Sequence, residues 1–464
     1  MPEHGPGGKI SVVIHRPFAQ MLLDRFQHPA QIIVSAFAAA VAAGTAALAS
    51  PLATESGTPA KLIDALFTAT SAVCVTGLVV VDTGTHWSAF GEVVILILIQ
   101  AGGLGIMTLA TLFAAIISGR IGLRARLWAQ AETKTLAMSD LRRVVRNVVI
   151  FSLVCEALIA IALTARFAIG YDQPLGRAAY FGVFHAISAF NNAGFGLLPD
   201  NLMRFSTDAW ICLPIALAVI VGGLGFPVVF ELRRSWRHPR RWSVLTRITV
   251  AATLVLLILG FLVFTITEWA NPKTLGPMEV GGKLLAGFFT GVMPRTAGFN
   301  SLDVAAMYPT SWLATDVLMF IGGGSAGTAG GIKVTTFAVL AYVLWAELRG
   351  ETHVNAGHRR LAATVQRQAL AIALLGVALV IVSTYALLAL TPHSLDQVLF
   401  EVISAIATVG LSTGITADLT AAGQLLVTFL MFAGRVGPAT LFSALALRTR
   451  TRRYELPEEK IIVG

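Results

Sequence analysis

Charge is the first scarcity of this 464-residue chain: only 13% of its residues are Asp, Glu, Lys or Arg, against about 25% in a typical soluble domain. With 56% hydrophobic residues and a mean hydropathy of +0.75, the chain has more apolar surface than a water-facing fold can hide, and a soluble protein is excluded. Cysteine is scarce too. Cys74, Cys155 and Cys212 are scattered, odd in number and without paired spacing, so neither a disulfide framework nor a cysteine metal site is expected. No metal cluster or catalytic pairing stands out, which argues against a membrane enzyme. The first 28 residues include Asp24 and several histidines, and lack the basic, apolar and cleavage regions of a signal peptide; the mature chain is expected to begin as written. Acidic residues are outnumbered, giving a formal net charge of +9. The basic residues sit in short loops between apolar runs, so the excess points to membrane topology rather than to nucleic acid.

What the chain does have is glycine, 43 in all, and a repeat built on it. Gly77, Gly194, Gly298 and Gly410 end four related stretches, roughly 100–120 residues apart. Ten residues before each stands Phe67, Phe184, Phe288 or Phe400. Six residues before stands Ser71, Ser188 or Ser404, with Val292 in the third copy. A large apolar residue follows each: Leu78, Phe195, Phe299 or Leu411.

Around each glycine the apolar pattern is the same. Residues 31–50, 148–169, 248–269 and 369–390 are long enough to cross a bilayer, which takes about 20 helical residues. Residues 62–73, 177–190, 281–292 and 394–407 are apolar but too short to span, and read as re-entrant helices. Return runs follow at 91–118, 210–230, 311–345 (broken by glycines) and 424–447. The expected fold is an all-α membrane protein of four tandem helix–pore-loop–helix units around one central pore. Its divisions are a tail at 1–28, pore units at 29–119, 140–232, 245–348 and 365–448, and a tail at 449–464. Basic loops hold Arg120, Arg124, Arg126, Lys134, Arg142, Arg143 and Arg146; then Arg233, Arg234, Arg237, Arg240, Arg241 and Arg247; then Arg349, Arg359, Arg360 and Arg367; and finally Arg448, Arg450, Arg452 and Arg453. The opposite loops have few basic residues. The positive-inside rule therefore puts both termini in the cytoplasm of a multi-pass plasma-membrane protein, with the glycine loops toward the outside.

A bare cation crossing a membrane must exchange its water shell for other oxygens, and rings of backbone carbonyls can provide them. Extended backbone of that kind needs conformations that glycine tolerates. The competing reading is that these are packing glycines, common in membrane helices; four aligned copies weigh against it.

From 62 to 108 the residues Ile-Asp-Ala-Leu-Phe-Thr-Ala-Thr-Ser-Ala-Val-Cys-Val-Thr-Gly-Leu lead on to Ile-Gln-Ala-Gly-Gly-Leu-Gly-Ile-Met-Thr. On these residues the chain resembles the Trk/Ktr/HKT superfamily of potassium transporters, and within it the KtrB type, over nearly its whole length. Trk-type chains often carry two additional N-terminal helices, for which this chain has no room. The resemblance implies a potassium-channel-like plan in one chain, with filter glycines at Gly77, Gly194, Gly298 and Gly410. The implied cation-binding positions are Cys74, Val75, Thr76 and Gly77; Asn191, Asn192, Ala193 and Gly194; Arg295, Thr296, Ala297 and Gly298; and Ala407, Thr408, Val409 and Gly410. In related plant transporters a serine in the first filter goes with sodium selectivity, so glycine here implies potassium. The third loop departs from the pattern through Val292 and Arg295.

A second glycine cluster recurs in the return runs: Gly102, Gly103 and Gly105; Gly222, Gly223 and Gly225; Gly322, Gly323 and Gly324; Gly434 and Gly437. The third copy expands into Gly322, Gly323, Gly324, Ser325, Ala326, Gly327, Thr328, Ala329, Gly330 and Gly331. Glycine costs roughly 1 kcal/mol per residue in a helix, so this run is expected to break and form a mobile plug below the filter. The same stretch is not a nucleotide P-loop, because Ile332 separates Gly331 from Lys333. A tight helix-packing seam is the competing reading. Arg435 stands where the other copies have Leu104 and Leu224; a charge at membrane depth is a functional candidate. The resemblance implies that this loop gates the pore with an arginine beside it. Glu156, His185, Asp316 and Glu401 also lie in spans, with buried hydrogen bonding as the plain explanation. His185 and Glu401 share one aligned position, nine residues before the glycine, which favours a role in holding the filter.

The expected function is potassium uptake by the membrane subunit of a Ktr system, with potassium in the filter, sodium as a candidate activator and no covalent cofactor. A proton- or sodium-coupled symporter of Trk type is the alternative, and a purely structural scaffold would not need four such loops. The resemblance further implies a homodimer seated on a cytosolic ring of KtrA-like subunits, which carry the nucleotide.

Overall fold

The computed structural model describes residues 29–105, 141–325, 327–357 and 359–437. Ala326, both tails at 1–28 and 449–464, the basic residues Arg120, Arg124, Arg126 and Lys134, and the cluster from Arg448 to Arg453 lie outside them. The first unit comprises α1 (Pro29–Leu48), α2 (Leu62–Val73) and α3 (Ala89–Gly103). The second comprises α4 (Leu141–Gly170), α5 (Leu175–Phe190), α6 (Ala209–Leu224) and α7 (Phe226–Ser235). The third has α8 (Val244–Glu268), α9 (Val280–Val292), α10 (Pro309–Phe320) and α11 (Val334–Leu348). The fourth has α12 (Ala363–Leu388), α13 (Leu395–Ala407) and α14 (Ala421–Val436). Among the described residues, the only paired strands form a two-residue hairpin, Asn355–Ala356 with Arg359–Arg360.

Among the described residues three helices, at Val145–Gly170, Val244–Glu268 and Ala363–Leu388, are long and apolar enough to cross a membrane. The 25 residues of α8 reach about 38 Å at 1.5 Å each, beyond the ~30 Å hydrocarbon core. Their outward faces expose Leu158 and Ile161, Leu259 and Ile266, and Leu374 and Ile381. Such a belt is stable only against lipid, and the chain is a multi-pass membrane protein.

The short helices α2, α5, α9 and α13 lie inside this belt, with their C-terminal halves buried. Missing side chains let them approach their neighbours. Gly260 of α8 crosses Gly291 of α9, where a methyl group at 260 would stand 2.7 Å from the Gly291 oxygen. The return helices cross the ends of their own short helices in the same way. A methyl group at Gly102, Gly222 or Gly434 would fall 1.9, 2.0 or 1.9 Å from the carbonyl oxygen of Val73, Phe190 or Ile406. These three carbonyls occupy one aligned position, four residues before the glycine of each loop. The packing-seam reading of the second glycine cluster therefore holds for the first, second and fourth copies.

The return runs differ from the sequence expectation in one place. Residues 210–230 read as a single span, yet α6 and α7 meet at a bend of 100°. Gly225, at φ +93°, makes the corner, and Pro227 follows in the first turn of α7. Hydropathy senses apolar length and is blind to direction, so the corner left no trace in it. In the third unit the expected break lies between α10 and α11. The first and fourth return helices end at Gly103 and Val436, beside Gly105 (φ +76°) and Gly437 (φ +87°); the rest of the expected spans, 106–118 and 438–447, lies outside the described residues.

Candidate functional site

The four loop glycines meet in a ring. A methyl group on Gly77 would stand 2.3 Å from the oxygen of Ala193, and one on Gly194 would stand 2.7 Å from that of Ala297. For Gly298 the neighbour is Val409 at 2.2 Å, and for Gly410 it is Thr76 at 2.1 Å. Each glycine thus lies against the residue that precedes the next unit's glycine, and the fourth closes on the first. All four glycines have positive φ, at +93°, +70°, +70° and +95°. The residue two before each does so as well: Val75 at +55°, Asn192 at +59°, Thr296 at +70° and Thr408 at +50°. Left-handed backbone costs a β-branched residue roughly 1–2 kcal/mol, so the turn is strained at Val75, Thr296 and Thr408, and asparagine stands in the second copy.

Hydrogen bonds to the short helices hold the turns. The amides of Thr76, Ala193 and Val409 donate to Ser71, Ser188 and Ser404 carbonyls at 2.8 Å each. Ser71 Oγ accepts from the Gly77 amide at 3.0 Å, and Ser404 Oγ accepts from Gly410 at 3.1 Å. Ser188 Oγ instead donates to the Phe195 carbonyl at 2.8 Å. The third loop is built differently. α9 ends at Val292, ahead of Pro294, which has no amide hydrogen to extend it, and the Ala297 amide reaches the Met293 carbonyl at 3.1 Å. Phe289 is fully buried where the repeat places Phe288, so this helix is turned by one residue relative to the others.

Beneath the ring run residues 321–325 and 327–333, the described part of the segment 321–333. Its backbone pairs with the corner of the second unit: Gly324 N–H to Gly223 O at 2.7 Å, and Thr328 N–H to Gly222 O at 3.2 Å. It also pairs with itself, Gly322 N–H to Ile332 O at 2.8 Å and Val334 N–H to Gly323 O at 2.9 Å. A methyl group on Gly330 would lie 1.8 Å from Thr408 Oγ1, so the segment presses on the fourth loop. Arg435, half-buried at the end of α14, donates to the Thr328 carbonyl and to the Gly102 carbonyl, both at 2.5 Å. Arg295 points away from the ring. Its guanidinium lies 3.2 Å from Gly322 O and 3.4 Å from Thr253 O.

The remaining ionisable residues separate. Glu401 is fully buried and accepts from Ser412 and Thr416 hydroxyls at 2.8 and 2.5 Å, bracing the chain just beyond the fourth loop. His185, at the same aligned position, bonds among the described residues only to the Phe181 carbonyl of its own helix (2.8 Å) and packs among Phe167, Phe181, Phe184 and Phe299; of the two, Glu401 holds the loop through hydrogen bonds. Asp316 is buried on α10, with one carboxylate oxygen unpartnered among the described residues. Glu156 accepts from Gln100 at 3.0 Å and from Asn191 at 3.2 Å, while Asn191 also donates to Gln100 at 2.8 Å. That triad clamps the second loop to the first unit. Gln100 and the buried carboxylate Glu268, which takes bonds from Asn271, Thr274, Tyr308 and Ser311, were not singled out from the sequence; a polar residue inside an apolar run is the signal that marks both.

Comparison with known proteins places the chain in a family and a fold. A family model described as TrkH, cation transport protein, matches residues 12–449. The chain is 39% identical over 436 residues to the Ktr system potassium uptake protein B of Bacillus subtilis, covering 94% of this chain and 97% of that one. It is 40% identical over 405 residues to the protein of the same name from Vibrio alginolyticus, covering 87% and 88%. It is 36% identical over 442 residues to the potassium/sodium uptake protein NtpJ of Enterococcus hirae, covering 94% and 97%. Among solved structures, the potassium transporter TrkH of Vibrio parahaemolyticus superposes with a TM-score of 0.72 at 18% identity, over 90% of this chain and 84% of that one, a likeness of fold.

The two kinds of serine contact predict different costs. Ser71→Ala strands the buried Gly77 amide, a loss of about 1–3 kcal/mol, and lowers the thermal unfolding midpoint of the purified protein. Ser188→Ala removes a donor from a carbonyl that keeps other lone-pair capacity, and is expected to cost less. Equal midpoints for the two variants would contradict this assignment.

Proposed function

The chain belongs to the TrkH family of cation transport proteins, and on that premise we propose that it takes up potassium across the plasma membrane as the ion-conducting subunit of a Ktr-type system. The observation that carries this reading is the closed glycine ring, in which the carbonyl oxygens of Ala193, Ala297, Val409 and Thr76 lie against the glycines of the neighbouring loops. Neutral oxygens held in a ring replace the water shell of a weakly hydrated cation. The sixteen loop positions named from the sequence, from Cys74 to Gly410, are the proposed cation-binding residues. Two relatives are named potassium uptake proteins, and a third is named for potassium and sodium. Sodium is accordingly proposed as an activator, and sodium-coupled symport is the competing reading that the third name favours. Rubidium and potassium uptake into proteoliposomes, measured with and without sodium, tests the function and separates the two. In the same assay Gly77→Ser is expected to lower the preference for potassium over sodium, because its side chain collides with the Ala193 carbonyl. An unchanged preference in folded protein would remove Gly77 from the filter.

The segment 322–331 is proposed as the gate, apart from the undescribed Ala326, and Arg435 as its latch and electrostatic barrier. Arg435→Ala removes both carbonyl contacts and the charge, so basal uptake is expected to rise several-fold. Uptake that stays level or falls, at matched protein amounts, would contradict the gate reading.

The control of that gate is proposed to come from outside the chain. The basic loops place both termini in the cytoplasm on the positive-inside rule. They offer a surface for a cytosolic ring of KtrA-like nucleotide-binding subunits under a homodimer of this chain. Affinity purification of the full chain from its own host is expected to bring down such a protein, and nucleotide is expected to change uptake once it is added. Absence of a partner, with uptake indifferent to nucleotide, would dismiss the assembly and leave the pore reading standing.

A further inference from the structure

Besides the Arg295 guanidinium on the Gly322 carbonyl, a side chain of the segment itself ties it to the ring. Thr328 Oγ1 lies 3.0 Å from Asn192 Oδ1 and 3.3 Å from the Phe190 carbonyl. The other polar atoms of Thr328 are committed as well, its amide to Gly222 and its carbonyl to Arg435. On its far side Asn192 reaches across to the next unit, with Nδ2 3.5 Å from the Arg295 carbonyl in the third loop. Asn192 therefore stands between the segment and two loops of the ring. Space for the meeting is made by Gly222: a methyl group there would lie 2.0 Å from Phe190 O and 3.0 Å from both Asn192 Oδ1 and Thr328 Oγ1.

The residue type suits the place. Asparagine tolerates the left-handed turn that this position imposes, and its carboxamide offers a donor and an acceptor at once. The equivalent positions in the other loops hold Val75, Thr296 and Thr408. None of these side chains can accept from the segment on one side while donating to a neighbouring loop on the other through a carboxamide.

Building on the uptake reading above, we propose that Asn192 is a specificity-determining residue whose link to Thr328 lets the position of the segment 321–333 set cation preference as well as pore opening. With Thr328 seated, the Asn192 carboxamide is held between that hydroxyl and the Arg295 carbonyl, and the third loop is fixed against the second. When the segment withdraws, the carboxamide loses one of its two anchors and the Arg295 carbonyl loses a fixed donor. The oxygen cage around the ion then relaxes, and discrimination between potassium and the smaller sodium ion falls.

The test is rubidium uptake by the full-length protein in proteoliposomes, competed separately with potassium and with sodium. Thr328→Val keeps the shape and removes the hydroxyl; it is expected to lower the preference for potassium about threefold to tenfold, the range of one buried hydrogen bond. Thr328→Ser restores the hydroxyl and is expected to return the preference toward the parent. Adding Thr328→Val to Asn192→Ser is expected to lower the preference no further than Asn192→Ser alone. A change in uptake rate with an unchanged preference in Thr328→Val would show a plug without coupling and overturn the proposal. Should Thr328→Val not fold, Asn192→Ser is measured with and without Arg435→Ala, which frees the same segment. Overlapping losses of preference support the link, and fully independent ones overturn it. A parent protein that carries neither rubidium nor potassium would overturn the uptake reading and this proposal together, whereas the other adverse outcomes remove this proposal alone.

Discussion

The contact between a glycine Cα and the carbonyl of the next loop, repeated four times until it closes at Thr76, constrains the rest of the molecule. It leaves room for a hydrogen atom and for nothing larger. It also requires left-handed backbone at eight positions, four of which are Val75, Asn192, Thr296 and Thr408. A turn that carries such strain persists only where its surroundings over-determine it. The surroundings here are the buried ends of α2, α5, α9 and α13 and the hydrogen bonds that loop amides donate to the carbonyls of Ser71, Ser188, Met293 and Ser404. The short helices must therefore stop where they do. The return helices must then cross close to the exposed carbonyls at those stops, which Gly102, Gly222 and Gly434 permit.

Stopping helices inside a membrane leaves backbone groups that lipid cannot satisfy, and each must find a protein partner or line water. The segment 321–333 and Arg435 answer that demand jointly. The segment spends amide hydrogens on Gly222 and Gly223 at the corner of α6. Arg435 spends two of its five donors on carbonyls of Gly102 and Thr328. The C-terminal end of a helix carries partial negative charge, so the end of α3 is a place where a guanidinium is stabilised rather than merely endured. A lysine, with a single ammonium group, could not bridge the two carbonyls in the same geometry.

The sequence was most legible where a requirement is local. A 12-residue apolar stretch can be a helix and cannot cross a bilayer, and α2 occupies residues 62–73 as read. Positive φ selects glycine, and Gly77, Gly194, Gly298 and Gly410 all show it. Ten residues rich in glycine cannot stay helical, and α10 stops at Phe320. Legibility failed where the requirement is relational. The bend at Gly225 answers to chain from another unit packed into its corner, and apolar length alone does not register it. Glu401 and His185 share a register and part ways because only Glu401 faces hydroxyls, those of Ser412 and Thr416. The triad of Gln100, Glu156 and Asn191 joins residues 56 and 91 positions apart, a proximity that no local pattern encodes. The turned α9 had a visible cause in Pro294, which alignment on the glycines alone passes over.

Joining four units in one chain, rather than assembling four copies, is what makes this arrangement possible. A symmetric assembly would send four copies of a 13-residue segment toward one axis, whereas here the third unit supplies that segment. Here each unit contributes a different part: the first the Gly102 carbonyl, the second the Gly225 corner and Asn192, the third the segment, the fourth Arg435 and Thr408. The ring keeps the common backbone turn because the turn depends on glycine and on helix ends, which all four units retain. Side chains next to the turn are free to diverge, since they point at neighbours that differ from unit to unit. Near-equal loops above and unequal supports below are thus two consequences of one covalent fact, and they explain why the glycines recur in all four units while the side chains beside them differ.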